Sequence, residues 1–254
     1  FDKIPDVPWH LLDFEKYVEL QNNPSGWKLR HKYADPWDMT PDTELRGFSY
    51  YSSYGCPEPC TFCCSPEVTN RRWKAKPADR ILDDIEMLMD RWGPFDVVRF
   101  HDANFGVMEK RTRDFSQGVI DRGLDFHWNA FIETHSILHY KPETLDLLAE
   151  SGMYIAEIGA EAGTDDMMRK IGKPIKGDDN IHAAMEMDKR GIRGSVTYII
   201  GYPHEEADSM MATIDQCRRL HNAAPLASPT VWPYRPIPGT EMFTQAIELG
   251  YEPP

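Results

Sequence analysis

From Gly47 onward, apolar positions along the chain follow two alternating rhythms. Six short runs, at 48–53, 96–100, 126–132, 154–160, 195–200 and 229–234, concentrate aromatic and β-branched residues, and each reads as a strand. Longer stretches between them carry apolar residues three and four apart. Over Pro77 to Trp92, the residues Ile81, Leu82, Ile85, Leu88, Met89 and Trp92 fall on one helical face. A helix over 109–122 stops at Gly123. Another over 142–151 has Pro142 in its first turn and Gly152 behind it. Further helices are predicted over 164–171, 178–190 and 208–221, and a short one from Thr240. Strands alternating with helices of this length predict βα units and a parallel sheet. The expected fold class is α/β, a partial (β/α)6 barrel of the TIM type. No GxGxxG follows the first strand, which leaves a dinucleotide-binding fold without support.

Residues 1–45 break this rhythm. They are rich in Pro, Trp and charge. One short helix is predicted over 6–17, followed by an extended connector with turns at Asn23-Pro24, Asp35-Pro36 and Thr40-Pro41. The expected division is a connector over 1–45 and a core domain over 46–254. The chain starts at Phe1 rather than Met, so a further domain is expected ahead of it.

Composition narrows the choice. At 254 residues, with 41% hydrophobic content and seven Trp, the chain has the material for a large core. It contains no run long and apolar enough for a membrane span and no signal-peptide pattern. The net charge of -13 disfavours a nucleic-acid partner, because phosphate contacts need Lys and Arg. The compact basic stretch Arg71-Arg72-Trp73-Lys74-Ala75-Lys76 reads as a solvated loop.

The candidate chemistry lies in the Cys loop after the first strand. Cys56, Cys60 and Cys63 form a CxxxCxxC triad, and Phe62 precedes the last thiol. Three thiolates on one short loop can hold three irons of a 4Fe–4S cluster, which leaves the fourth iron open. A structural zinc site would want a fourth ligand at regular spacing. The other thiols are the adjacent Cys64, read as incidental, and the remote Cys217, three residues after Ile214 on a helix and read as core. A disulfide framework suits a small secreted chain, not this one. Free thiols beside a cluster imply a reducing cytoplasm.

In partial barrels, chemistry collects at the C-terminal ends of the strands. The second predicted strand ends in His101-Asp102-Ala103-Asn104-Phe105 and the third in Glu133-Thr134-His135. The fourth ends in Glu157 to Gly163, the fifth in Ile199 to Glu205 and the last in Tyr234 to Thr240. Tyr50, Trp128, Tyr198 and Arg235 are expected to point into the barrel. His127, His135 and His139 are scattered and give no metal site.

The Cys loop resembles that of the radical S-adenosylmethionine (SAM) enzymes. The segments His101–Phe105, Ile158–Gly163 with Lys173, Ile200–Glu205 and Pro236–Thr240 resemble the corresponding turns of the branch fused to a cobalamin-binding domain. Residues 1–17 resemble the connector of that branch, although its Asp-x-His-x-x-Gly cobalamin motif is absent here. The resemblance implies a cluster on Cys56, Cys60 and Cys63, SAM on the open iron, and reductive cleavage to a 5′-deoxyadenosyl radical. It further implies Phe62 against the adenine, the backbone of Asp102 near the SAM amino group, and Glu161 accepting from the ribose or amine. Lys173 would pair with the SAM carboxylate, and Ile199 and Gly201 would let the adenine approach. No protein side chain is assigned a directly catalytic role. The implied activity is cobalamin-dependent C-methylation of a small organic substrate, with the electron from a low-potential donor such as flavodoxin or ferredoxin. Oxidative cyclisation or ring rearrangement, tRNA methylthiolation and a non-enzymatic metal-binding module are the alternatives.

Overall fold

The computed structural model describes residues 7–22 and 45–253. The three turns expected between 23 and 41 lie outside the described residues. Eight strands follow one another among the described residues: β1 (Gly47–Tyr50), β2 (Ser53–Tyr54), β3 (Lys74–Ala75), β4 (Val97–Phe100), β5 (His127–Phe131), β6 (Met153–Glu161), β7 (Arg193–Ile200) and β8 (Ser228–Pro233). The helices are α1 (Phe14–Asn22), α2 (Ser65–Thr69), α3 (Ala78–Trp92), α4 (Glu109–Asp121), α5 (Thr134–His139), α6 (Pro142–Glu150), α7 (Asp165–Lys170), α8 (Asp179–Asp188), α9 (Ala207–Ala223) and α10 (Glu241–Glu248). Six strands form one parallel sheet in the order β1-β4-β5-β6-β7-β8, and β2 pairs antiparallel with β3. Each neighbour in the large sheet is the next of its strands in the chain, as repeated right-handed βα crossovers require.

Side-chain parity sets the two faces of this sheet. Val98 and Phe100, Trp128 and Ala130, Ala156 and Ile158, and Val196 and Tyr198 are all buried in one apolar core. They share it with Ile81, Leu82, Ile85 and Leu88 of α3 and Phe115 and Val119 of α4. Burying each large side chain contributes about 1.5–3 kcal/mol. Phe115 meets Trp128 edge to face, with centroids 5.3 Å apart at 89°. Tyr50, Trp128 and Tyr198 therefore do not point into the barrel: their parity puts them on the helix side, each at most 1% exposed. Tyr50 donates to Asp84 of α3 at 2.5 Å, and Trp128 Nε1 donates to the Ser151 carbonyl at 3.0 Å. Arg235 is exposed.

Among the described residues the sheet does not close, and β1 and β8 are its edges. Part of the expected connector covers the first of these. Instead of one helix over 6–17, a 3-10 turn at Trp9–Leu11 precedes α1. Phe14 and Val18 of α1 are buried against the core. Gln21 and Asn22 act as a surrogate strand: Gln21 donates to the Gly47 carbonyl at 2.6 Å and accepts from its N–H at 3.2 Å. The Asn22 amide does the same for Leu45 at 2.9 and 2.8 Å. These amides satisfy backbone groups that a bare edge would expose. No helix among the described residues is long and apolar enough to cross a membrane.

Candidate cluster and cofactor site

The first strand ends earlier than its sequence suggests, and the reason lies at the second. Asp102, just after β4, accepts from the backbone N–H of Ser52 at 2.6 Å and of Ser53 at 3.0 Å, and from the Ser52 hydroxyl. Arg111 of α4 donates to the same hydroxyl at 2.5 Å and to the Phe105 carbonyl at 3.2 Å. Asp102 thus turns the chain out of the sheet and launches the Cys loop. Its side chain is committed to that turn.

From there β2 runs out, the loop carries Cys56, Cys60 and Cys63, and β3 brings the chain back. Cys56 and Cys60 are each 8% exposed, Cys63 is half-buried and Cys64 is exposed. The far side of the loop is clamped. Thr61 N–H donates to the Ile171 carbonyl at 3.0 Å, and the Met242 N–H of α10 donates to the Thr61 carbonyl at 3.2 Å. Gly172, at φ +76, sits where a Cβ would lie 2.6 Å from the Pro59 carbonyl. A side chain there meets both a strained backbone and the loop itself.

Beneath the loop a buried charge cluster fills the rim. Lys173 Nζ donates to Glu133 at 2.6 Å and to the Gly159 carbonyl at 3.2 Å, and lies 3.4 Å from Glu161. All three charged residues are at most 8% exposed. Glu161 reaches this position because β6 is irregular there: its register shifts between Gly159 and Glu161, and Glu161 takes φ +60. Bulges that re-aim a side chain, and strained non-glycine backbone, belong to functional sites. Gly159 makes the room, since a Cβ there would overlap Glu161 Oε1 and lie 3.4 Å from Lys173 Nζ. Burial pulls the Lys173 pKa down, but the Glu133, Glu161 and Cys60 charges overcome it and the net direction is up. Burial raises Glu161, and Glu133 adds to it while Lys173 opposes. One ammonium facing two carboxylates leaves the cluster with surplus acceptor capacity.

An apolar cradle adjoins the charges. Phe62 packs edge-on to Tyr202 with centroids 5.6 Å apart. Ile199, Ile175 and Tyr234 pack with Tyr202, Met168 and Met242 in the same cluster. Gly201, at φ +82, starts the turn that Glu205 pins by accepting from its N–H at 2.7 Å. The Tyr202 hydroxyl is buried and has no hydrogen-bond partner among the described residues; desolvation raises its pKa, and the nearby Glu161 and Cys60 charges add to the rise.

The structure thus brings the three thiols, Phe62, Glu161, Lys173 and Ile199 to one rim, with Gly201 at its edge and Asp102 behind it. Two residues there escaped sequence reasoning. Glu133 stood in a rim segment but was given no role, and its signal is its place just past the C-terminal end of β5, as Glu161 stands at the C-terminal end of β6. Tyr202 lay inside a recognised turn. His135 stands 3.6 Å from Glu58 of the Cys loop. Cys217 packs partly buried against the core, as its helical spacing implied.

The donor set suits a polynuclear cluster. No three His, Cys, Asp or Glu side chains among the described residues converge on one ion. A cluster takes its thiolates at separate irons. Ser65 N–H donates to Cys63 Sγ at 3.4 Å, and the Glu58 backbone does likewise to Cys56, as anionic sulfur requires. Burial raises the Cys56 thiol to about 11 and Cys60 to about 12, so a bound metal would have to displace their protons to hold them as thiolates.

A parallel α/β sheet with a three-thiol loop and a buried polar rim at its strand C-termini defines an enzyme of the iron–sulfur class. The chain belongs to the radical SAM superfamily, whose family model matches residues 50–217. Membership implies a 4Fe–4S cluster and SAM, and the residues fit both. The chain is 27% identical over 197 residues to an uncharacterised methyltransferase of Pyrococcus horikoshii, covering 77% of this chain and 41% of that protein. It is 25% identical over 260 residues to the cytidylyl-2-hydroxyethylphosphonate methyltransferase of Streptomyces wedmorensis, covering 100% and 45%. The chain therefore spans less than half the length of these relatives. The radical SAM methyltransferase TsrM of Kitasatospora setae, solved with cobalamin and a [4Fe-4S] cluster, shares the fold at a TM-score of 0.67 and 19% identity, over 80% of this chain and 37% of that one.

Proposed function

We propose that this chain is the radical-generating part of a cobalamin-dependent methyltransferase acting on a small organic substrate. One observation carries the reading. The three thiols lie within reach of the Lys173 charge and of Glu133 or Glu161, and Phe62 of the same loop packs in the Tyr202 and Ile199 cradle. The methyltransferase names of the curated relatives supply the reaction type.

In this reading Cys56, Cys60 and Cys63 hold the cluster, and the cradle with Gly201 receives the adenine. The backbone around Asp102 lies near the SAM amino group, while its carboxylate fixes the loop. Glu161 accepts from the ribose or amine. Lys173 meets the SAM carboxylate, exchanging part of its hold on Glu161 for it. When bound, the cluster supplies one low-potential electron, SAM the deoxyadenosyl group and cobalamin the methyl carrier. The protein's work is to orient these groups and exclude water. Residues 46–254 form the core domain, and cobalamin is bound mainly outside it. The electron comes from a donor such as flavodoxin or ferredoxin, in a reducing cytoplasm that keeps the five cysteines free. The -13 charge speaks for a small substrate over a nucleic acid.

The test is anaerobic turnover of the full-length protein with SAM, cobalamin and reductant. Methyl transfer yields both 5′-deoxyadenosine and S-adenosylhomocysteine. Deoxyadenosine alone would sink it in favour of cyclisation.

A further inference from the structure

We propose that Arg71, Arg72 and Lys74 form the docking face for an acidic electron-transfer protein that reduces the cluster. The inference rests on the proposed function only in requiring an electron at Cys56, Cys60 and Cys63.

This basic stretch is solvated at Arg71, Arg72 and Lys74, as its composition implied, and its placement beside the Cys loop gives it a further role. The chain carries 41 acidic and 28 basic residues, yet residues 54–76 hold four basic residues and two acidic ones. Of the two acids, Glu58 faces His135 and Glu67 is exposed on α2. Arg71, Arg72 and Lys74 are all exposed, and no ion pair involves them among the described residues. Elsewhere on the surface basic side chains are commonly neutralised, as Arg122 is by Asp83 and Glu86, Arg190 by Asp146 and Glu186, and Arg219 by Asp178. Lys76 in the same stretch turns inward to Asp84 at 2.7 Å, so the free charges are the outward ones.

The patch is fixed to the cluster loop. Arg71 Nε donates to the carbonyl of Pro57, the residue after Cys56, at 3.1 Å. Asn70 and Arg71 take φ values of 54 and 55, a pair of left-handed non-glycine residues. Such strain persists where the surroundings enforce it. Here Arg71 N–H donates to the Pro66 carbonyl and Arg72 N–H to the Thr69 carbonyl at 3.2 and 3.0 Å. Lys74 is locked opposite Tyr54 in the β2–β3 ladder. Tyr54, paired with Lys74, is 63% exposed, and Val68, three residues before Arg71, is 70% exposed. Arg around exposed aromatic and aliphatic side chains is the make-up of an interface. The arrangement suits a small, short-lived electron-transfer contact, steered by opposite charge.

The step moves one electron from the partner's reduced centre to the cluster. The partner is oxidised by one electron, the cluster is reduced by one, and no bond forms or breaks.

The test uses the full cluster-loaded chain, with Arg72→Gln/Lys74→Gln as the variant. That pair leaves the Arg71 contact to Pro57 in place. An Arg71→Gln/Arg72→Gln/Lys74→Gln variant adds the third charge, and cluster absorbance checks both. Reduced flavodoxin is the probe, with dithionite as a small-molecule control. Expected are a rate of cluster bleaching by flavodoxin that falls roughly tenfold or more in the variants and loses its salt dependence, an unchanged rate with dithionite, and flavodoxin binding to the cluster-free chain weakened in parallel. Unchanged flavodoxin rates or salt dependence would overturn the proposal. So would selective binding of transfer RNA to the same residues, which would make the patch an RNA site. Loss of methyl transfer with the salt-dependent reduction intact would instead refute the proposed function and leave the docking face standing.

Discussion

On β6, Ala156 and Ile158 face the helices and are fully buried among apolar side chains. Three residues beyond Ile158, Glu161 is 8% exposed, beside a bulge, facing an ammonium and a second carboxylate. The same strand thus serves two environments. In the helix-side core, hydrophobic area is the organising force, and any well-fitting apolar residue would serve. At the rim, the cost of burying charge is offset by specific partners, and the backbone is bent to supply them. Core positions tolerate change in kind but not in volume. Rim positions tolerate neither.

Mutations at the two regions separate these regimes. The largest effect is expected from Cys60→Ala, which removes a proposed cluster ligand that lies outside the helix-side core. Iron after anaerobic reconstitution should fall from about four per chain to near zero, with the urea midpoint of the iron-free protein almost unmoved. Retention of the full iron content would show that the loop has been misread. Trp128→Ala is the counterpart: a loss of about 3–5 kcal/mol in urea unfolding is expected, with iron bound per folded chain unchanged. A loss of iron at conditions where that variant remains folded would erase the distinction between core and rim. Gly172→Ala lies between the two. It meets an unfavourable φ and the Pro59 carbonyl, so a loss of about 1–3 kcal/mol is expected, with faster release of iron to a chelator. Normal iron retention in that variant would show that the clamp at Ile171 and Gly172 does not hold the loop. The smallest effect belongs to Cys64→Ala: an exposed thiol beside the triad, whose removal should leave cluster absorbance as it was.

The core and the rim were not equally legible in the sequence. Strand and helix order was readable because α/β packing writes itself as period: Ile81, Leu82, Ile85 and Leu88 recur on one face and are all at most 3% exposed. The thiols were readable because their spacing lies within one loop. What periodicity could not say was which face a side chain takes, hence the misassignment of Tyr50, Trp128 and Tyr198. Nor could it reveal α1 at the β1 edge, because Gln21 and Asn22 have no strand signature, yet their amides complete a strand's hydrogen bonds. The Lys173, Glu133 and Glu161 cluster joins residues up to 40 positions apart, and it depends on a bulge and on Gly159. Such long-range pairing at a strained backbone leaves little local trace. Asp102 was singled out from its motif as a ligand neighbour; its carboxylate turned out to anchor Ser52 and Ser53.

The central claim is that three rim thiols hold a 4Fe–4S cluster whose fourth iron is open to SAM. The measurement that tests it most directly is the electron paramagnetic resonance spectrum of the reduced, reconstituted protein with and without SAM. A 4Fe–4S signal that changes shape and g-values when SAM is added is the predicted result. A 4Fe–4S signal indifferent to SAM, or a protein that carries zinc and gives no cluster signal, would contradict the account.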